Sequence, residues 1–477
     1  MSYKTIIGLE IHVELATKTK AFCSCENSYG GEPNTRVCPV CLGMPGALPV
    51  LSEGVVVEAV KAASAFHMQI NHQSSFDRKN YFYPDLTKGF QITQDDHPVA
   101  EEGYLEIEVD GKAKKIGIYK IQIEEDTGKS LHTEEGSTLM DYNRCGVPLI
   151  EIVSKPEMNS GEEARMFLEK LRNTLRYIGV SDCKMEEGSL RCDVNINVKD
   201  EETGKKTVIT EVKNLNSFKA VEKSIDYEVN RQIALLKSGQ GEIRTTRRWD
   251  DVKNETIIMR EKYSVNDYHF GPEGDLGPLF ISDEWIQEIK SNMVELPDAK
   301  KERFIAKYKL NDYDAEVLTQ NQGIADYFEE VAKKFKDTNM LSNWFMTEFL
   351  RRVEVDEDSQ DLDIPFSADD FADLMNIIKE GKINNNAGKK VLRLMFESSD
   401  KPMLIIERES LLQMQDDTAM KDLVNKVLEA NPESIEQYRA GKDRILGFLV
   451  GQVMKESRGK ANPQMVNQML SEVLKSE

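Results

Sequence analysis

Residues 5–15, TIIGLEIHVEL, decide how the first half of the chain reads. Ile7, Leu9, Ile11, Val13 and Leu15 fall on one side of an extended backbone, and Glu10, His12 and Glu14 on the other, because successive strand residues point to opposite faces. The same alternation returns in LRCDVNINV, where Arg191, Asp193, Asn195 and Asn197 oppose Cys192, Val194, Ile196 and Val198. Weaker versions in IEIVS and VITEVKN set Glu151 and Glu211 among β-branched neighbours. Between these strands lies an amphipathic helix, SGEEARMFLEKLRNTLRYIGV, with Ser160 and Glu163 as a capping box and Gly179 as its stop. From ELPDAKKERF onward the period becomes helical, and a second change comes near residue 405. The expected class is α+β: a mixed or antiparallel sheet body over 1–292, then all-helical units over 293–406 and 407–477.

Bulk properties agree with several soluble domains. A chain of 477 residues exceeds the roughly 250–300 at which one core stops growing. No apolar run approaches the roughly 20 residues needed to cross a bilayer, and MSYKTIIGLEIHVEL lacks the features of a secretory signal or transit peptide. A cytoplasmic, non-membrane protein is expected. The net charge of −21 argues against unspecific duplex binding, which rewards basic proteins. The tail is the exception: between 439 and 460 stand Arg439, Lys442, Arg444, Lys455, Arg458 and Lys460 against Asp443 and Glu456. That bias suits RNA contact or an ordinary solvated helix face.

Cys23, Cys25, Cys38 and Cys41 form close pairs, C-x-C and C-x2-C, separated by twelve residues. Four thiolates at this spacing suit a tetrahedral structural zinc, which leaves no open position for catalysis. The acids suggest a different ion. Glu10 and His12 share a strand face. Glu124, Glu125 and Asp126 end the strand IGIYKIQIEED, and MEEGSLRCD adds Glu186, Glu187 and Asp193. Oxygen ligands with one imidazole suit Mg2+ or Mn2+. Any one such face reads more readily as a solvated surface; several acidic strands together point to a shared cavity. Gly128-Lys129-Ser130 imitates the end of a phosphate loop, but Ile123 stands where the first glycine is required. FDRKNYFYPD (76–85) interleaves Arg78 and Lys79 with aromatics, which fits a phosphate, a stacked base or a packed strand with charged ends.

Taken together, GLEIHVEL, CLGMPGALPVL, FDRKNYFYPDL, EEDTGKS, GVPLIEIVS, MEEGSLRCDVNI, EVKNLNS and GFLVGQVMKESRGKANP closely resemble the B-subunit family of aspartyl/glutamyl-tRNA amidotransferases, the GatB family. The resemblance runs nearly end to end. It implies a catalytic cradle, a helical domain and a tail that contacts tRNA. It further implies a complex with an amidase-type A subunit, which acts as glutaminase, and a small C subunit, a heterotrimer acting on Glu-tRNA(Gln), Asp-tRNA(Asn) or both. ATP and Mg2+ would serve to phosphorylate the side-chain carboxylate, and ammonia from the A subunit would displace the phosphate.

By motif, the resemblance assigns Glu10, His12, Glu125 and Glu151 as principal Mg2+-site residues, with Glu124, Glu187 and Glu211 accessory. Lys79 and Arg78 would meet phosphate, substrate carboxylate or the ammonia outlet; Arg191, Lys213 and Asn214 are further pocket residues. Glu125, Glu10, His12 and Lys79 are the expected catalytic set, and the four cysteines hold zinc only in some members. NDYHFGPEGDLGPL (266–279) departs from the family segment DYRYFPEPDLPPL and receives no role.

Overall fold

The strand expected at the N-terminus runs Tyr3–Glu14 and lies inside a sheet rather than at its edge. The structure is a computed structural model describing residues 2–133, 135–239, 243–261, 268–353, 362–413, 417–439, 442, 444–457 and 461–476. Among these residues a nine-stranded sheet runs in the order Glu255–Glu261, Thr245–Asp250, Thr210–Lys213, Leu190–Asp200, Tyr3–Glu14, Pro148–Ser154, Lys112–Glu125, Ala100–Val109, Gln69–Ile70. Its pairs are antiparallel except Thr210–Lys213 with Thr245–Asp250, which are parallel and joined through the helix Phe218–Ser238. A parallel pair needs such a crossover, because a tight hairpin reverses direction.

The alternation read in the sequence sorts the two faces. Ile7, Ile11, Val13, Val194 and Ile196 are fully buried, in one core with Phe167, Leu171, Leu175, Val221 and Ile225 of the helices Gly161–Tyr177 and Phe218–Ser238. Each such side chain taken from water is worth about 1.5–3 kcal/mol. The helix Gly161–Tyr177 begins as expected, Ser160 accepting from the Glu163 backbone N–H, and Gly179 ends it in the left-handed region at φ 71°. Glu163 does not close the reciprocal half of the box: its carboxylate accepts instead from the Asn159 N–H at 2.7 Å and from Lys114 at 2.6 Å. The carboxylate thus caps one residue further out than the box requires, with a lysine as its second, charge-assisted donor.

Glu228 of the helix Phe218–Ser238 is fully buried; Arg231, Gln232 and Thr256 donate to it, and Arg247 forms an ion pair with it at 3.3 Å while donating to Thr256. This knot ties the helix to the parallel strand and its outer neighbour. A smaller sheet, His269–Pro272, Asp77–Asn80 and Phe90–Thr93, carries the FDRKN segment.

The described residues divide into two compact units, Met1–Leu296 and Pro297–Glu477. The second unit is helical and holds two separate apolar clusters. One centres on Phe328, Phe345, Phe349 and Phe371, the other on Val424, Leu449, Val466 and Leu470. The acidic run 354–363 lies almost wholly outside the described residues. No described helix is long and apolar enough to cross a membrane.

Candidate metal centres and active site

The polar side of the nine-stranded sheet is continuous. Across it, Gln122 stands opposite Glu151, Glu151 opposite His12, and His12 opposite Arg191. One step along, Glu10 stands opposite Asp193, while Asn195 faces Glu211 and Glu211 faces Thr246. Directly opposed side chains on one face sit close enough to share a ligand, so the register gathers groups scattered over the first 250 residues.

Two groups of ligands result. In the first, His12 Nε2 lies 3.6 Å from Glu124 Oε2 and 3.9 Å from Glu151 Oε2, and the three ligand atoms all fall within 4.8 Å of one another. Thr93 donates to Glu124 at 2.6 Å, and Gln122 Nε2 donates to Glu124 and Glu151 at 2.8 and 2.7 Å. Burial pushes the Glu151 carboxyl well up, with the Glu124 and Glu10 charges adding to it. Burial also lowers His12, favouring the neutral imidazole that can ligate. Burial works to raise Glu124 too, but His12, Lys79 and the donors from Thr93 and Gln122 hold it below the usual range. Gln122 Oε1 is buried without a hydrogen-bond partner among the described residues. An orphaned oxygen beside two carboxylates and a neutral imidazole fits a hard divalent cation such as Mg2+.

In the second group, Glu10, Asp193 and Glu211 bring ligand oxygens within 4.8 Å of one another. Asn195 donates to Glu10 at 2.8 Å, Thr246 to Glu211 at 2.9 Å, and Lys213 to both Asp193 and Glu211. A cavity of about 280 Å³ opens beside Glu10, with Asn195, Asn197 and Arg244 on its walls.

The thiols of Cys23, Cys25, Cys38 and Cys41 also lie within 4.8 Å of one another. The Cys38 and Cys41 sulfurs are 3.8 Å apart, which matches the edge of a tetrahedron built on zinc–sulfur bonds of about 2.3 Å. A hydrogen bond from Cys23 holds the Cys41 thiol below its ordinary value, assisted by the Cys38 amide and Lys20. The four residues fit zinc.

Expectation and structure part at Glu125. It does not join Glu10 and His12: as the neighbour of Glu124 it points through the opposite face. There it meets Lys88 at 2.7 Å and the Ile92 N–H at 3.0 Å, on the wall of a cavity of about 190 Å³ that Cys23 and Cys41 also line. Nor do Glu10 and His12 share one group. Glu187 pairs with Lys184 at 3.3 Å and belongs to neither. Arg191 forks onto Asp126 at 2.5 and 3.2 Å, and Asn214 is exposed in the left-handed region at φ 61°.

Lys79 and Arg78 separate as neighbours on a strand must. Lys79 acts on the charges of His12, Glu124 and Glu151 and lies 4.8 Å over the Tyr268 ring. Arg78 is engaged by Glu273 at 2.9 and 2.8 Å and by Asp275 at 2.9 Å. The divergent segment 266–279, assigned nothing from sequence, thus holds both basic residues: His269–Pro272 pairs with Asp77–Asn80; residues 266 and 267 lie outside the described part. Gln122, Lys88 and Glu273 were missed as site residues. The alternation could have found Gln122, since it shares a face with Glu124; Asp193, read from sequence only as one of several acids, falls beside Glu10.

Lys442, Arg444 and Lys455 are exposed in the second unit. Arg458 and Lys460 lie outside the described residues, as does the Arg439 side chain.

Comparison with known proteins agrees on one family. A model described as the GatB/GatE catalytic domain matches residues 5–287, and one described as the GatB domain matches 326–474. The chain is similar to proteins named as the B subunit of aspartyl/glutamyl-tRNA(Asn/Gln) amidotransferase. That of Finegoldia magna is 51% identical over 472 residues, covering 99% of this chain and 100% of the relative. Those of Clostridium tetani and Caldicellulosiruptor saccharolyticus are each 50% identical, over 473 and 478 residues, with 99% of both chains covered. With a catalytic-domain model over more than half its length and full-length relatives at this identity, the chain belongs to the GatB/GatE family.

Proposed function

We infer that this chain is the B subunit of a glutamine-dependent aminoacyl-tRNA amidotransferase, converting Glu-tRNA(Gln), Asp-tRNA(Asn) or both to the amidated forms. The observation that carries the chemistry is the pair of ligand groups on one sheet face, His12–Glu124–Glu151 and Glu10–Asp193–Glu211, with Lys79 directed at the first. A side-chain carboxylate is a poor acyl donor until an oxygen leaves as phosphate. Its oxygen takes the γ-phosphoryl group of ATP with ADP departing; ammonia then bonds to the acyl carbon and phosphate departs.

Bound Mg2+ would supply charge neutralisation for phosphoryl transfer. The chain's own residues do the positioning. Gln122 and Thr93 orient the Glu124 and Glu151 carboxylates. Asn195, Thr246 and Lys213 orient Glu10, Asp193 and Glu211. Lys79 offers a cation to phosphate or substrate carboxylate.

Glutaminase and C-type partners are needed to deliver ammonia. The catalytic body spans about 1–292, a helical domain 293–406, and a tail from 407 whose Arg439, Lys442, Arg444, Lys455, Arg458 and Lys460 meet tRNA phosphates. The four cysteines hold a structural zinc.

The test is reconstitution with the glutaminase and C-type partners and each misacylated tRNA. At limiting Mg2+, Glu151→Gln or Glu124→Gln should cut ATP-dependent amidation sharply while glutamine hydrolysis continues; full amidation by either variant under those conditions would sink the assignment.

A further inference from the structure

Lys20 is fully buried, and a lysine is almost never so unless an anion accompanies it. Its ammonium donates to the Arg36 carbonyl at 2.8 Å and to Cys41 Sγ at 3.8 Å. A carbonyl alone leaves the positive charge uncompensated, and a neutral thiol is a weak acceptor. The main chain adds to the link, the Lys20 N–H donating to the Cys25 carbonyl at 3.0 Å. Lys20 therefore touches both halves of the cysteine cluster: C-x-C through its backbone, C-x2-C through its ammonium.

We propose that Lys20 is a positioning residue of the four-thiolate centre, a buried cation that offsets the charge of the metal-bound sulfurs and holds Cys41 in place. Four thiolates around Zn2+ carry a net charge of −2. An ammonium at one sulfur offsets half of it, and it does so at Cys41, the buried member of the four. The Cys41 sulfur also accepts from the Cys38 N–H at 3.1 Å, and its carbonyl accepts from Thr87 at 2.8 Å. Cys41 is thus the sulfur around which the loop is organised, and Lys20 is its charged partner.

This rests on the reading that the four cysteines bind metal, and the experiment separates the two claims. Metal-free full-length chain is titrated with Co2+, read by its thiolate charge-transfer band, and with Zn2+ against a chelator, at several pH values. Wild type, Lys20→Met and Lys20→Arg are compared. Lys20→Met should keep the four-sulfur cobalt spectrum, lose ten- to hundredfold in zinc affinity, as outer-shell partners typically cost, and reach half-loading at higher pH, since the thiols must deprotonate without the ammonium. Its metal-free form should be at least as stable as wild type, because an uncompensated buried charge has gone. Lys20→Arg should keep the wild-type half-loading pH even where its bulk weakens binding. Unchanged zinc affinity and half-loading pH in Lys20→Met would overturn the proposal. So would a parallel loss of stability in its metal-free form, which marks a merely structural role. Failure of wild type to bind either metal overturns the metal reading and the proposal together.

Discussion

Replacing Glu228 by Gln tests whether the edge of the sheet is held by charge. Glu228 is fully buried, and Arg247, only 11% exposed, depends on it at 3.3 Å, while Arg231 is 20% exposed and reaches it at 2.8 Å. Glutamine keeps one acceptor oxygen but no charge, so Arg247 is left buried with its compensation removed. Stranding one member of a buried pair costs about 3–5 kcal/mol. Partial exposure of Arg231 puts the expectation at the lower end, about 3 kcal/mol. Urea denaturation followed by far-UV circular dichroism reads it as a lower midpoint at unchanged slope. Adding Arg247→Met to the same chain should restore part of the loss, because the stranded cation disappears. The Glu228 carboxylate, although its burial acts upward, is held below its ordinary value by Arg231 and its other donors. Its contribution is therefore present above the unfolded-state value near 4.5 and lost as pH falls through the folded one. Neutralisation should hurt stability most at pH 7 and progressively less as pH falls below about 4.5. A loss under about 1 kcal/mol at pH 7, or one that does not shrink as pH falls, would refute the reasoning.

The split of Glu124 from Glu125 predicts distinct phenotypes. Glu124→Gln should raise the Mg2+ concentration needed for half-maximal amidation at least about tenfold, whereas Glu125→Gln should leave that requirement unchanged, both read in the reconstituted complex. Glu14 is pushed up to about 7, first by burial and then by Asp126. A raised carboxyl favours the fold at low pH and loses that advantage as pH climbs from about 4.5 to 7. Glu14→Gln should therefore flatten this slope and stabilise the chain at pH 8 by on the order of 2 kcal/mol in thermal melts. Cys38→Ser, or a strong chelator, should release one zinc per chain and open the 23–41 loop to limited proteolysis, read by metal analysis and mass spectrometry. Reversing Lys442, Arg444 and Lys455 to Glu should raise the KM for tRNA and lower its salt dependence, leaving the KM for ATP unchanged.

The sheet was legible because a two-residue period is a local signal: TIIGLEIHVEL and LRCDVNINV each declare which face is wet. They also declare Glu10 and His12 as neighbours, and each falls in one of the two clusters that could hold an ion. The same period, applied to IEED, would have sent Glu124 and Glu125 through opposite faces. Motif resemblance drew them together, and register pulled them apart. What no local pattern encodes is which strands lie side by side. Asp193 joins Glu10, and Thr246 joins Glu211, only through pairing of segments far apart in the chain. The grip of Glu273 on Arg78 spans 195 residues. It lay hidden in the segment that had seemed least informative.

The position of Tyr3–Glu14 has a consequence for how the protein comes to exist. It leaves the ribosome well before both its partners, Pro148–Ser154 and Leu190–Asp200. At roughly 5–20 residues per second, its second edge is covered only about 10–40 s after the strand itself is made. Through that interval an apolar strand waits with exposed backbone hydrogen-bonding groups, a template for wrong partners. The segment that anchors both ligand groups is therefore also the one whose newborn chain most needs protection.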